Sequence, residues 1–215
     1  MTLEDERGVA LIVAMLAAAS VAMVAATLAL DTSTESVIAA DYLRVQQARY
    51  GAEAALERAI VDVASAGDWS AIAAGLGSST FTDGLSSGLR TLPDGATLDL
   101  ATVVNVANCG KPTLCSSSDV AGNTSGQRPW GANNPLWHLF AYAPLTGLLP
   151  SGAIQSPLYV TVLIAGDPSG TGGVSLRAES FGGRGVHQIV EAIVEPPAMP
   201  GTGVRTRAQL MTGLR

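Results

Sequence analysis

The chain is poor in the residues that most often carry out chemistry. Only 5% of its 215 residues are aromatic and 14% are charged, and it has two histidines and two cysteines. It contains no HExxH zinc-protease motif and no GxxxxGK[ST] phosphate-binding loop. His138 and His187 fall in predicted strands without a nucleophile or ligand pattern beside them, so we interpret them as ordinary strand residues. The sequence therefore predicts no catalytic residue, no cofactor and no metal site.

Charge and cysteine content narrow the class further. The formal net charge is −6, which argues against a nucleic-acid-binding protein because such proteins need a basic face. Cys109 and Cys115 form an even pair in a chain that begins like an exported protein, which favours a small disulfide formed in an oxidising compartment. Closing so short a loop stabilises by about 2 kcal/mol on the chain-entropy model. Two free thiols remain the alternative.

What the chain has instead is a long apolar run close to its start. Val9 to Leu30 contains 22 residues without a charge, which as a helix reaches about 33 Å and crosses a bilayer core. A cleaved secretory signal is the alternative, because alanines within the run resemble a cleavage site. The preceding Glu4, Asp5 and Glu6 are acidic, and the run is longer than most signal cores, so a transmembrane helix is favoured.

The apolar run continues into an amphipathic segment over residues 31–66. Its charged residues include two pairs four positions apart, Arg49 with Glu53 and Arg58 with Asp62, which pair favourably on a helix. The two segments therefore predict one long helix. Its apolar face recurs in steps of three, four and seven and comprises Ile38, Tyr42, Val45, Ala52, Leu56, Ile60 and Val63.

Residues 67–195 predict a β-rich globular domain, and residues 196–215 a flexible tail. Thr97 to Val106 has strand composition, and four further strand candidates follow. The last two form a hairpin across Gly182 to Gly185. The predicted fold class is α+β, with a three- to five-stranded antiparallel sheet packed on the upper half of the long helix. The four later candidates read LWHLFAYA, SPLYVTVLIAG, VSLRAESFG and VHQIVEAIVE.

Two clusters have open interpretations. Trp130, Trp137 and Tyr142 lie close together in sequence, where core packing is favoured over an adhesive surface patch. Asp167 together with Asp83 or Asp94 offers carboxylates for calcium, but the sequence shows no ligand spacing, so calcium binding stays undecided.

Three segments resemble the PilX-type minor pilins of the type IV pilin-like superfamily. ERGVALIVAML resembles the opening of that group, and ARYGAEAALERAI resembles its Ala-rich helical signature. SLRAESFGGRGVHQIVEAIVE resembles its C-terminal pair of strands. The resemblance covers about the first 65 residues and about 20 near the end, whereas residues 67–155 have no counterpart.

The resemblance implies a processing and assembly pathway. Residues 1–8 would be a prepilin leader, cleaved after Gly8 by prepilin peptidase, which then methylates Val9. The helix would hold the subunit in the inner membrane, with its C-terminal domain outside the cytoplasm, and later lie in a pilus filament. The implied partners are other major and minor pilins, the inner-membrane assembly platform and a tip adhesin. Glu53 is a candidate contact between subunits.

Two departures from the family pattern affect this reading. Most pilins carry Glu at the fifth mature position, where this chain has Val13, which suggests a priming or tip subunit. Pilin leaders are usually basic, whereas this one is acidic. A minor pseudopilin of type II secretion and a single-pass anchored extracytoplasmic binding module therefore stay as alternatives. An exported hydrolase has no catalytic constellation to support it.

Overall fold

The computed structural model describes residues 3–92, 94–122, 136–148, 156–167, 172–197 and 203–212, with side chains from residue 8 to residue 206 within those ranges. The fold is α+β, as predicted. The chain divides into two compact units, Met1–Leu43 and Arg44–Arg215. Helix α1 (Leu3–Ala64) contributes to both.

Within the described residues, the second unit contains three shorter α-helices and seven strands. Strands β1 and β2 pair in a small antiparallel sheet, and β3 to β7 form an antiparallel five-stranded sheet of order 3-4-5-6-7. The four strand candidates and the hairpin predicted from the sequence are confirmed. The elements are α2 (Trp69–Ala73), β1 (Leu89–Thr91), β2 (Thr97–Asp99), α3 (Leu100–Cys109), α4 (Ser117–Gly122), β3 (His138–Pro144), β4 (Tyr159–Gly166), β5 (Val174–Phe181), β6 (His187–Glu195) and β7 (Arg205–Thr212).

One face of the five-stranded sheet packs on α1 through small residues. The helix contributes alanines at a spacing of three and four, which is one helical face. The predicted ion pairs Arg49–Glu53 and Arg58–Asp62 form at 3.0 and 3.1 Å. The buried helix residues are Ala48, Ala52, Ala55, Leu56, Ala59, Ile60 and Val63.

The predicted apolar face is buried only in its upper part. Ile38 and Tyr42 are each 63% exposed, whereas Leu56, Ile60 and Val63 are buried. The periodicity is real, but the sheet covers the helix only from Ala48 onward. Apolar periodicity shows which side of a helix is apolar, and not whether another element reaches it.

The opposite face of the sheet is covered by α3 and by the β1–β2 hairpin. Val103 and Ala107 of α3 pack against Trp137 and Leu163, while Leu100 packs against the sheet tyrosines. Strands β4 and β5 are thus buried on both faces, and their sequences lack a clean alternation. Strand β6 alternates regularly between buried and half-buried side chains.

Of the strand predicted over Thr97 to Val106, only Thr97–Asp99 forms a strand, and helix α3 takes the place of the rest. Asp99 caps its first turn by accepting a hydrogen bond from the Ala101 amide at 3.1 Å, and Gly110 ends it in the left-handed region at φ 72°. The β-branched run Thr-Val-Val favours a strand locally. The caps and the burial of Val103 and Ala107 on one helix face override that preference.

The tail also differs from its prediction. Residues 196–215 were expected to be flexible, yet Arg205–Thr212 forms β7, paired antiparallel with β6. This pairing satisfies the backbone groups of β6, which would otherwise be the sheet edge. At the other edge, Ser79 to Asp83 hydrogen-bonds to β3, with Ser79 N donating to Phe140 O at 2.8 Å and Tyr142 N to Phe81 O at 3.1 Å.

Two expectations about individual residues are confirmed. Cys109 and Cys115 form a disulfide, with their Cα atoms 6.0 Å apart. Trp137 and Tyr142 are buried, so core packing explains both. Trp130 lies outside the described residues.

Gly51 sets the distance between α1 and the sheet. A Cβ atom there would lie 3.0 Å from Leu158 Cδ1 and 3.1 Å from Ser180 Oγ. We expect Gly51→Val to lower the free energy of unfolding by about 1–3 kcal/mol, because a packed interface has no room for it. Thermal unfolding of the full chain in detergent, followed by circular dichroism, measures this. Gly67→Val is the control, since nothing lies within 4 Å of that position, and equal transition temperatures would contradict the close packing.

Candidate functional site

The predicted processing junction lies within helix α1. Gly8, Val9 and Val13 are exposed, and nothing lies within 4 Å of the position of a Gly8 Cβ atom. No described side chain therefore shields the Gly8–Val9 peptide bond. Processing at this bond stays a prediction.

The apolar part of α1 has the properties of a single membrane span. The helix is long and apolar enough to cross a bilayer, and none of its most apolar window is buried. A signal sequence near an N-terminus can meet the same criteria of length and hydropathy, so the mature N-terminal residue decides between them.

The hydroxyl groups in and beside this span are satisfied within the helix. Ser20 Oγ donates to Leu16 O and Thr27 Oγ1 to Val24 O, each at 2.8 Å. Thr32 and Thr34, just after the span, bond to the preceding turn in the same way. Because lipid tails offer no hydrogen bonds, these internal bonds allow the polar side chains to enter an apolar environment.

Glu53 is already engaged within its own helix. Its carboxylate accepts a hydrogen bond from Arg49 Nε at 3.0 Å and is about one quarter exposed. Farther along the helix, Arg58 pairs with Asp62 and donates a hydrogen bond to Thr80 Oγ1 at 2.8 Å. The second pair ties the loop after α2 to the helix. A contact between Glu53 and a neighbouring subunit stays a prediction.

A groove of about 960 Å³ runs beside this part of α1. Its helix wall is made by residues spaced along one face, and its other wall by the 3-10 turn Leu145–Leu148 and the start of β4. Phe81 packs on Gly147 at its floor, where a Gly147 Cβ would lie 3.0 Å from the Phe81 ring. The lining is largely apolar and includes Gln47, Tyr50, Gly51, Ala54, Glu57, Arg58, Thr80, Phe81, Leu145, Leu148, Pro157 and Leu158.

A buried charge cluster lies on the α3 side of the sheet. Arg177 is 2% exposed and donates from Nε to Glu179 at 2.6 Å and from Nη1 to Glu191 at 2.7 Å. His187 Nε2 lies 2.7 Å from the second Glu179 oxygen, and its ring stacks on Phe181 at 4.5 Å. The guanidinium thus bridges two carboxylates on adjacent strands.

The pKa values of the two carboxylates in this cluster are shifted in opposite directions. Burial opposes ionisation of Glu179, but the Arg177 charge and the hydrogen bond from His187 outweigh it and lower the Glu179 pKa. Burial dominates at Glu191 and raises its pKa despite Arg177. Split carboxylate pKa values also occur in catalytic pairs. Here Arg177 pairs with both carboxylates, and no residue of the cluster lines the groove. We therefore interpret the cluster as structural.

A second polar cluster organises the loop Asp83–Arg90. Arg90 Nε donates to Asp83 at 2.9 Å, and its other nitrogens donate to the carbonyls of Leu85, Ser87 and Leu89. Tyr159 donates to Asp83 at 2.7 Å, and burial with this bond raises the Tyr159 pKa. Together, these hydrogen bonds hold the loop in one conformation.

The same loop contains the string GLSSG at residues 84–88, which matches the GxSxG pattern of hydrolases. That pattern needs a serine on a sharp turn between a strand and a helix. Ser86 instead lies in an exposed loop that leads into β1. The string therefore does not indicate a catalytic serine.

The structure gives no support for calcium binding at the predicted carboxylates. Asp83 is held by Arg90 and Tyr159, and Asp94 accepts a hydrogen bond from the Ala96 amide at 3.1 Å. Among the described residues, no group of three or more His, Cys, Asp or Glu side chains is arranged to hold a metal.

Sequence reasoning missed both polar clusters. A signal existed for the first, because Arg177 lies five residues before Gly182 and Glu191 six residues after Gly185, which places them close to each other across the predicted hairpin. No local signal marks the second. Its acceptors are mainly backbone carbonyls, and its tyrosines lie more than 50 residues from Asp83 and Gly84.

Comparison with known proteins identifies no relative of this chain: no family model, curated protein or solved structure matches it. The α+β fold and the candidate membrane helix are therefore the firm basis on which its function is inferred.

Removing the centre of the buried cluster should destabilise the protein. We expect Arg177→Met to lower the free energy of unfolding by about 3–5 kcal/mol, because the buried Glu179 would lose its charged partner and keep only its hydrogen bond with His187. Glu191→Gln should cost less, since its amide oxygen still accepts from Arg177. Denaturant unfolding of the full chain measures both, and a larger cost for Glu191→Gln would contradict this order.

The raised pKa of Glu191 predicts a pH dependence with a defined sign. A carboxyl whose folded pKa lies above its ordinary value of 4.5 adds stability below that value, and this contribution is lost as pH rises through the folded pKa. The Glu191→Gln variant lacks this pH-dependent contribution to stability. Its stability relative to the unmodified protein should therefore rise between about pH 4 and about pH 7, as measured by urea unfolding at both values. A constant or falling difference would contradict the prediction.

Proposed function

We propose that this protein is a minor pilin-type subunit that takes part in type IV pilus assembly, in a priming or tip position. Prepilin peptidase cleaves it after Gly8 and methylates Val9. The observation that carries the proposal is helix α1: a bare apolar run begins directly at Val9 and continues unbroken into the helix on which the sheet packs.

The chemistry of the span suits a subunit that moves from lipid into a filament. The run has no charge, and its described hydroxyls bond to their own backbone. Such a helix packs equally well against lipid tails and against other apolar helices. Small residues permit close approach between helices, and the run contains Ala14, Ala17, Ala18, Ala22 and Ala25.

Val13 supports the priming or tip position. A carboxylate at that depth costs about 2.5–3.5 kcal/mol by insertion scales, and pilins that carry it are expected to pair it with the terminal amine of a neighbour. Val13 removes both the cost and the pairing, so this subunit does not depend on that neighbour contact. The proposed partners are other pilins, prepilin peptidase, the inner-membrane assembly platform and a tip adhesin.

One feature favours a second candidate function, a static single-pass anchor that displays an extracytoplasmic binding module. The leader carries Glu4, Asp5 and Glu6 where pilin leaders are basic. An unprocessed chain would keep these residues and remain in the membrane. A pseudopilin of type II secretion would share the processing and differ in the filament that contains it.

The intact mass and N-terminal residue of the full chain, taken from native membranes and sheared filaments, test the proposal. We expect a start at Val9 with one added methyl group, and retention of the leader in Gly8→Val. Gly67→Val is the matched control and should be processed normally. A start at Met1 would show a static anchor, and a start near residue 30 would show a cleaved signal; either result overturns the proposal.

A further inference from the structure

Helix α1 carries two seams with the spacing of helix packing, and the sheet covers only one of them. The covered seam contains the buried residues Ala48, Ala52, Ala55 and Ala59. The second seam recurs in steps of three and four over residues 47–61, and all of its residues are exposed. Alternating steps of three and four form one continuous stripe along a helix. We call this stripe the open seam, and it consists of Gln47, Tyr50, Ala54, Glu57 and Val61.

The open seam forms the helix wall of the groove beside α1. Four of its five residues line the groove, and Tyr50 and Val61 are 64% and 58% exposed. The opposite wall is apolar and is made by the turn Leu145–Leu148 and by Leu158, with Phe81 at the floor. An exposed apolar stripe beside an apolar wall has the form of a groove that receives a helix.

The spacing of the open seam indicates the shape of its occupant. From Gln47 to Val61 the helix rises about 21 Å, which is about four helical turns. A second α-helix presents side chains at the same intervals of three and four, so that its residues insert between those of the seam. The side chains on one face of an extended segment recur at every second residue and do not share this period. The seam therefore favours an α-helix.

Charge indicates the chemistry of the occupant. Glu57 is exposed and forms neither an ion pair nor a hydrogen bond with any residue that the structure describes. Arg58, the only cation in the described lining of the groove, is already held by Asp62 and Thr80. The groove is therefore apolar with one available negative charge, in a chain of net charge −6. Both charges favour a cationic partner and oppose a second copy of this chain.

We propose that the groove binds an amphipathic α-helix of a different protein. The apolar side of that helix contacts Tyr50, Ala54 and Val61, and a Lys or Arg within its stripe pairs with Glu57. A polar residue within an apolar seam fixes the register of two helices and selects the partner. The inference goes beyond the proposed function and does not depend on it, because the open seam lies in the second unit whether the chain enters a filament or remains an anchor.

The first experiment uses two designed peptides as probes. The Lys peptide is a helix of about 18 residues, or five turns, with Leu and Ala at the seam positions and one Lys among them. The Glu peptide has Glu in place of that Lys and is otherwise identical. Fluorescence anisotropy measures their binding to the full chain in phosphatidylcholine nanodiscs, with empty nanodiscs as the background. We expect the Lys peptide to bind about tenfold more tightly, because an attractive pair replaces a repulsive one. Equal affinities would overturn the proposal.

A charge reversal on the protein should reverse this preference. We expect Glu57→Lys to bind the Glu peptide about tenfold more tightly than the Lys peptide. The matched control is Glu35→Lys, which makes the same change of charge at an exposed helix position outside the groove and should keep the original preference. A reversal in both variants would show that only net charge acts, and no reversal in Glu57→Lys would show that Glu57 is not in contact. Either result overturns the proposal.

The apolar part of the contact is tested by filling the groove. Ala54 is exposed and lines the groove, so Ala54→Trp should block it without disturbing the core. Ala64→Trp adds the same side chain at an exposed helix position outside the groove lining. We expect only Ala54→Trp to weaken binding of the Lys peptide, by about tenfold or more, with far-ultraviolet circular dichroism unchanged in both variants. Undiminished binding by Ala54→Trp, or an equal loss in both, would overturn the proposal.

A photo-cross-linker at position 54 identifies the native occupant. With benzoylphenylalanine there, we expect the full chain in native membranes to cross-link to a segment of another protein that has apolar residues three and four positions apart and a Lys or Arg among them. Glu57→Lys should reduce the yield, whereas Glu35→Lys should not. Cross-links that map to lipid, to a second copy of this chain or to a segment without that pattern would overturn the proposal.

Discussion

The structure of the second unit depends on how closely α1 approaches the five-stranded sheet. The helix faces the sheet with Ala48, Ala52, Ala55 and Ala59, and Gly51 lies against Leu158. Small residues bring the two backbones together, so the sheet can lie across the helix with few interdigitating side chains. The close approach also creates the groove, because the sheet ends beside the helix and leaves the face around Ala54 open.

The face of the sheet opposite α1 is covered by α3 and the β1–β2 hairpin, and polar groups enter that second layer. Arg177 and Glu179 lie in the middle of β5 and are almost inaccessible to water. They are tolerated because they pair with each other and with Glu191 and His187 across the hairpin. The polar groups of the Asp83–Arg90 loop, at the edge of the sheet, are likewise paired with one another and with Tyr159. The outer layer is therefore held by specific polar pairings as well as apolar contacts, whereas the inner layer is held mainly by apolar contacts.

The sequence predicts the elements whose signals are local. Apolar length predicted the span, periodicity predicted the helix, and alternation with glycine turns predicted four strands and the hairpin. The two helix ion pairs and the disulfide also follow from spacing. The expectations that failed depend on tertiary partners. Helix α3 needs its Asp99 cap and the sheet beneath it, and β7 needs the free edge of β6.

The candidate surfaces were harder to predict for the same reason. Glu53 was identified as a candidate contact between subunits from its position on the helix. Its ion pair with Arg49, four residues earlier, depends on the same local spacing. The Asp83–Arg90 loop has the sequence of an ordinary polar turn, because the tyrosines that help to order it are distant in the chain. The groove is formed by three separate segments, and no pattern within one of them indicates a cavity.

The disulfide has a consequence for the order in which the protein matures. Cys109 ends α3, and the preceding Asn108 clamps the start of β3 with two hydrogen bonds to Trp137, at 2.8 and 3.0 Å. The disulfide thus holds the end of α3 next to the residue at which the chain enters the five-stranded sheet. Because thiols stay reduced in the cytoplasm, a chain that crosses the membrane completes this joint only on the far side. In the proposed topology, the disulfide would therefore form, and the domain would complete its folding, only after export.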